Sequence, residues 1–132
     1  MASMQRRSIS GTSLLRSKVQ QRMIALPLLP ANGAWSITGT IFAVRVDPPG
    51  GEAVAFYPLF AGYCTGDGAT VTSENVPPAS TATRDGVPPR FAPGRPALTV
   101  TNLQAEIAFT GAEGATTIAW GWDLDMVLMS LP

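Results

Sequence analysis

Apolar residues occupy every second position of one stretch near the C-terminus of the chain. Each even position from 118 to 128 is apolar, whereas Thr117, Gly121, Asp123 and Asp125 occupy odd positions. A β-strand points successive side chains to opposite faces of its sheet, so this alternation predicts a half-buried strand. Its inward-facing residues would be Ile118, Trp120, Trp122, Leu124, Met126 and Leu128.

Three other stretches predict strands with less regular faces. In residues 35–46 the apolar residues change parity near Gly39, which predicts a β-bulge or a strand that changes sheets. A second change of parity, at Asn102 within residues 97–110, predicts another bulge. Residues 53–64 are apolar almost throughout, so they predict a strand that is buried on both faces.

Residues 74–96 form the longest stretch without strand character, and they contain six prolines and two glycines. Loops of this length inside a compact domain are usually functional or disordered, and proline stiffens a loop relative to a Gly/Ser linker. The composition therefore predicts an ordered contact loop, whose candidate recognition residues are Arg84, Arg90 and Arg95.

The remaining segments complete a pattern of short strands separated by turns. Residues 69–73 predict a short strand, and residues 111–114 predict a hairpin-length loop before the last strand. Five or more strands with turn signals about every dozen residues predict an antiparallel sandwich or barrel. We expect an all-β fold, an antiparallel β-sandwich of the jelly-roll type, in a body formed by residues 31–132.

Residues 1–30 differ from this body in pattern, and they predict an extended N-terminal arm. A short helix over residues 14–24, ended by Pro27, is predicted because apolar residues recur about every four positions. These residues are Leu14, Leu15, Val19, Met23 and Ile24.

Charge also separates the two parts of the chain. Residues 1–46 carry six basic residues and no acidic one, whereas residues 47–132 carry three basic and nine acidic residues. The net charge of zero therefore divides into +6 and −6. Such asymmetry predicts a basic amphipathic arm that meets a partner. No membrane partner is expected, because no apolar run approaches the roughly 20 residues that span a bilayer.

The chain lacks residue types on which much of catalysis depends. It has no histidine and a single cysteine, Cys64, so histidine-based acid–base chemistry and an internal disulfide are excluded. Asp123 and Asp125 could bind a cation, but their alternation with apolar residues favours a solvated strand face. We therefore predict no enzymatic activity, no cofactor and no metal.

Charged residues make up only 14% of the chain, against roughly 25% in an average soluble domain, which favours an assembled subunit. A basic arm, a sandwich body and a proline-rich loop together resemble the small virion structural proteins of tailed bacteriophages, namely decoration proteins, head-fibre or spike bases and tail adaptors. The resemblance implies a trimer or another ring of copies in the virion, attached by the arm to a capsid or tail protein. The attachment residues would be Arg6, Arg7, Leu14, Leu15, Arg16, Lys18, Val19, Arg22 and Met23.

Two other functions stay open at this point. Residues 74–96 could bind a receptor or a glycan through their three arginines. The basic arm could instead contact the phosphates of a nucleic acid. Its basic residues are interleaved with leucine, valine and methionine, which favours docking onto protein over phosphate binding.

Overall fold

A computed structural model describes residues 1–16, 21–47, 52–65, 68–75, 80–82, 94–111 and 116–132, with the backbone alone for 68–75 and 80–82. The described residues form strands and no helix. The strands are β1 (Ser3–Leu15), β2 (Gln21–Ala25), β3 (Gly33–Asp47), β4 (Ala53–Phe56), β5 (Pro58–Thr65), β6 (Gly68–Asn75), β7 (Ser80–Ala82), β8 (Ala97–Thr101), β9 (Gln104–Thr110) and β10 (Thr117–Ser130).

These strands form two antiparallel sheets. The larger sheet has the order β1-β10-β3-β4-β7, and β5 pairs with both β3 and β6. The smaller sheet has the order β2-β9-β8. The predicted all-β class and antiparallel pairing are therefore confirmed, with two sheets in a sandwich-like arrangement.

Strand β10 lies between the edge strand β1 and strand β3 of the larger sheet, and its positions 118 to 128 show the alternation that the sequence predicts. Its even positions are buried, and Ile118, Trp120 and Met126 have no exposed surface, whereas Asp123 and Asp125 are exposed. The inward row of β3 faces this row across the ladder, so that Ile37 is paired with Met126. These two rows form the floor of the core on the larger sheet.

The smaller sheet closes the core through aromatic contacts. Phe109 of β9 is fully buried, and its ring centroid lies 5.2 Å from that of Trp120 and 5.0 Å from that of Trp122. Trp120 also stacks on Phe56, and its indole Nε1 donates a hydrogen bond of 3.1 Å to the carbonyl of Thr110. Aromatic pairs of this kind stabilise a core beyond the area they bury.

The predicted helix over residues 14–24 is wrong wherever the structure describes it. Leu14 and Leu15 end β1, and residues 21–25 form β2, while residues 17–20 lie outside the described residues. An isolated helix of this length is marginal in water. The backbone instead pairs with β10 on one side of the break and with β9 on the other, and Leu15 and Ile24 enter the core.

Residues 1–30 are therefore integrated into both sheets. Pairing between β1 and β10 is continuous from Ser3 to Leu15. The indole of Trp122 lies against Gly11, where an added Cβ would meet the ring at 2.6 Å, so this glycine allows a close approach. Beyond β2, the amides of Leu26 and Leu29 donate to the carbonyls of Ala105 and Leu103, which ties the segment to the smaller sheet.

The bulge predicted near Gly39 is absent from β3, because its pairing with β10 runs in register through this position. Odd positions stay on the core side from Gly33 to Ala43, and Phe42 points outward. Gly39 has φ +149°, and a Cβ here would lie 2.2 Å from the carbonyl oxygen of Asp123. The sequence suggested a change of face because the outward residues of this strand are themselves apolar.

The predicted strand over residues 53–64 is divided into β4 and β5 at Tyr57. Burial on both faces holds only for residues 54–56, since Leu59 and Tyr63 of β5 are exposed. β4 and β5 both pair with the same edge of β3, along different parts of its length. A long apolar run therefore encodes two strands, one of which has an exposed apolar face.

Two predictions about connections also change. Asn102 does not form a bulge: it begins a two-residue turn between β8 and β9, with φ 55°, a conformation that asparagine tolerates better than most residues. Residues 111–114 do not close a hairpin, because β9 and β10 belong to different sheets; residues 112–115 lie outside the described residues.

The strand predicted at residues 69–73 is confirmed as β6. Of the predicted loop at 74–96, residues 74–75 end β6, residues 80–82 form β7 and residues 94–96 precede β8. Its remaining residues, 76–79 and 83–93, lie outside the described residues.

Candidate assembly surface

The outer face of the larger sheet, which points away from the core, is formed by even positions of β1 and β3 and by odd positions of β5 and β10. Several large apolar side chains on it are exposed. Tyr63 is 52% exposed, Phe42 48% and Leu59 36%. Monomeric proteins seldom leave neighbouring strands so apolar on one face, so this face is a candidate for contact with protein.

One corner of the outer face is a shallow apolar depression. The pairing register aligns one residue from each of β1, β10, β3 and β5 in a row. These residues are Met4, Met129, Ala34 and Tyr63. A cavity of about 220 Å³ lies beside this row, lined by Met4, Ala34, Trp35, Ser36, Val127 and Met129. Its unbranched methionines can adapt to the shape of an incoming side chain.

The middle of the outer face is polar. Asp123 and Asp125 are exposed there, and the Ser8 hydroxyl donates a long hydrogen bond of 3.4 Å to Oδ1 of Asp125. The flanking positions are small and hydroxylated, with Ser10 paired to Asp123 on β1 and Thr40 paired to it on β3. Within the described residues, no group of three or more acidic, cysteine or histidine side chains is arranged to hold a metal.

Among the described strands, β1 forms one edge of the larger sheet and pairs on one side with β10. Residues 3–8 are exposed on both faces, and burial increases toward Leu15, which is 4% exposed. An edge strand presents unpaired amide and carbonyl groups along its free side. β1 therefore offers a backbone interface next to the outer face.

The predicted attachment residues divide into three groups. Arg6, Arg7, Arg16 and Arg22 are exposed, as are the apolar Leu14 and Met23. Leu15 is buried in the core, which corrects its assignment to attachment. The positions that lie outside the described residues are Lys18 and Val19.

Of the three arginines in the predicted recognition loop, the structure describes one. Arg95 is exposed just before β8, whereas Arg84 and Arg90 lie outside the described residues. The sixth basic residue of the N-terminal third, Arg45, pairs with Glu52 at 3.2 Å, and its amide donates to the Glu52 carbonyl. This pair links the ends of β3 and β4 and is only partly exposed, so its role is structural.

Cys64 is buried on the core side of β5. Burial raises the pKa of its thiol, and the side chain of Trp35 lowers that pKa by a smaller amount. A buried cysteine that stays protonated is a poor nucleophile. It acts here as a small apolar core residue.

Comparison with protein-family models, with curated proteins and with solved structures gave no significant match. Among the described residues, none belongs to a helix long and apolar enough to span a bilayer. The functional interpretation therefore rests on the geometry of the outer face and of β1.

Proposed function

We propose that this chain is a non-enzymatic structural subunit of a virus particle, which self-associates through its sandwich and attaches to another virion protein through its N-terminal segment. The observation that carries this proposal is the apolar outer face, where Met4, Phe42, Leu59 and Tyr63 are exposed on three strands of the larger sheet. Burying such side chains against another protein is the main favourable term in association.

The chemistry of the same face also favours assembly over catalysis. Asp123 and Asp125 lie exposed on the outer face of the larger sheet, with serine and threonine neighbours. Catalytic groups usually lie in concave sites that shift their pKa values. A face with apolar ends and a polar centre has the composition of an interface between proteins.

The N-terminal segment contributes to attachment in a different way from a free arm. It carries exposed Arg6, Arg7, Leu14 and Met23 along two strands, one at the edge of each sheet. The edge of the smaller sheet, formed by β2, can bind an extended segment of another virion protein through backbone hydrogen bonds, while the side chains select that partner. Low overall charge and the resemblance in layout to phage structural proteins support a place in a virion.

Self-association is tested by measuring the mass of the purified chain in solution over a range of concentrations. We expect oligomers that dissociate when Phe42 and Tyr63 are both replaced by serine. The matched control is Thr40→Ser, on the same face but already polar, which should leave the mass unchanged. A monomer at all concentrations would contradict the proposal.

Attachment is tested in particles of the virus that encodes the chain. We expect mass spectrometry of purified particles to detect the chain, and an Arg22→Gln/Met23→Ser variant, altered at exposed residues of the N-terminal segment, to be depleted from them. Purified particles that contain no copy of the wild-type chain would exclude a role as a virion subunit.

A further inference from the structure

We infer that β1 pairs antiparallel with β1 of a second copy around a two-fold axis, so that the larger sheet continues across the dimer. In this arrangement Arg6 of each copy forms an ion pair with Asp123 of the other. The inference rests on the proposed function, because it names the partner and the register of one self-association contact.

The backbone of β1 suits such pairing. The strand is 13 residues long, contains neither proline nor an acidic residue, and has a free edge along its length in the described part of the chain. Natural edge strands are usually short, bulged, charged or interrupted by proline, which prevents pairing with another chain. β1 is long and free of proline, and its pairing with β10 is regular throughout. Its charges are Arg6 and Arg7, so the pairing depends on the register that gives Arg6 an acidic partner.

Charge complementarity selects the register. Arg6 and Asp123 are exposed on the same outer face, and neither has an ion-pair partner among the described residues. If Ser8 faces Ser8 of the second copy, Arg6 faces Ser10, which in turn pairs with Asp123 within that copy. With strands spaced about 4.8 Å apart, the Cα atoms of Arg6 and the opposing Asp123 are about 10 Å apart. An extended arginine spans this distance above the small Ser10.

The neighbouring two-fold registers are less favourable. Placing Arg7 opposite Arg7 sets like charges directly across the ladder, which is destabilising. Placing Ile9 opposite Ile9 sets Arg6 opposite Thr12, whose partner on β10 is Gly121, and so removes the carboxylate from the row. The register centred on Arg7 would also bring Arg6 across from Ser8, beside Asp125, but at the cost of the Arg7–Arg7 repulsion. The register centred on Ser8 joins opposite charges without placing like charges directly across the ladder.

A cysteine at the two-fold axis tests the register directly. In an antiparallel pair, opposing Cα atoms lie about 4.5–5.5 Å apart, within the roughly 4.4–6.8 Å that a disulfide allows. We expect mild oxidation of Ser8→Cys to give a covalent dimer. The matched control is Ser10→Cys, whose equivalents would be offset by four residues, about 13 Å, and should not cross-link. The buried Cys64 should not react in either variant.

The ion pair is tested by replacing Arg6→Gln and, as a matched control, Arg7→Gln. Loss of two surface ion pairs in the symmetric dimer should raise its Kd about fivefold for Arg6→Gln and leave Arg7→Gln close to wild type. If arginines on this edge instead prevent association, Arg6→Gln would dimerise more tightly than wild type, and the inference would be wrong.

The outcomes separate this inference from the proposed function. Oligomers that depend on Phe42 and Tyr63, with no cross-link at Ser8→Cys, would overturn the β1 pairing and leave the structural role intact. Equal cross-linking of Ser8→Cys and Ser10→Cys would likewise overturn the register. A specific Ser8→Cys dimer formed by a chain that is missing from the particles would support the pairing and overturn the virion role.

Discussion

Phe109 gives the most direct test of how the two sheets are held together. It comes from β9 of the smaller sheet, is fully buried, and lies with its ring centroid within 5.2 Å of those of Trp120 and Trp122 on β10. Truncating a buried phenylalanine to alanine removes its transfer free energy and leaves a cavity, and such changes cost about 3–5 kcal/mol. We therefore expect Phe109→Ala to lower the free energy of unfolding by about 4 kcal/mol.

This loss is large against the roughly 5–15 kcal/mol that stabilises a typical domain. With a urea m-value of about 2 kcal/mol/M, the denaturation midpoint should fall by about 2 M while the m-value stays unchanged. The assay is equilibrium urea unfolding, monitored by tryptophan fluorescence and by circular dichroism. The protein concentration is kept low enough for the chain to be monomeric. Agreement between the two probes would show that the transition is two-state.

The matched control is Phe42→Ala, which deletes the same atoms from a side chain that is 48% exposed on the outer face. Surface substitutions change stability by only about 0.5 kcal/mol, so the control should unfold close to wild type. If the two alanine variants lost equal stability, or if Phe109→Ala lost less than about 1 kcal/mol, the smaller sheet would not pack on Trp120 and Trp122 as described.

Two further predictions concern single positions in the larger sheet. Gly39→Ala should destabilise the fold by about 2 kcal/mol or more, because φ is +149° and the new Cβ would lie 2.2 Å from a carbonyl oxygen. Gly121→Ala is its control, since the nearest atom to the new Cβ is 3.9 Å away, and equal losses in urea unfolding would refute the reasoning. The raised pKa of Cys64 means that the folded state retains a proton that the unfolded state releases, so stability should decline as the pH rises above the ordinary value of 9.0. The decline should be absent from Cys64→Ala, and an identical pH dependence of unfolding in both proteins would contradict it.

The sequence predicts β10 well because each even position from 118 to 128 is apolar and buried, while the centre of the opposite face is polar. Ile118, Trp120 and Met126 therefore alternate with Gly121 and Asp123, and burial follows the pattern. Hydrophobic period is a reliable signal when apolar residues are confined to the buried face. The all-β class follows from the same signal repeated in shorter strands.

Pairing partners could not be predicted in the same way. β1 and β10 lie at opposite ends of the chain, and nothing local in either strand indicates the other. Leu14 and Leu15 end β1, and Met23 and Ile24 belong to β2. Because the two strands lie close together in the sequence, the spacing of these residues resembles the apolar stripe of a helix. Long-range pairing replaces the helix, since it buries Leu15 and Ile24 and satisfies backbone groups that a marginal helix would leave exposed.

The wrong predictions in β3 and β5 share one physical cause. Phe42, Leu59 and Tyr63 are apolar on a face that the described residues leave exposed. Apolar residues on the outer face led to the prediction of a bulge in β3. In β5 they led to the prediction of burial on both faces. Sequence rules of this kind assume that apolar side chains are covered within the same chain.

Natural sequences tend to agree with their fold at each level, and departures concentrate at functional positions. The departures here share one surface: Phe42, Leu59 and Tyr63 lie on the same face of the larger sheet as Met4. Apolar residues at outward-facing positions, where alternation predicts polar ones, are explained if a second protein covers this face. The positions where the sequence is hardest to interpret as a monomer are thus the positions that the proposed assembly contact would bury.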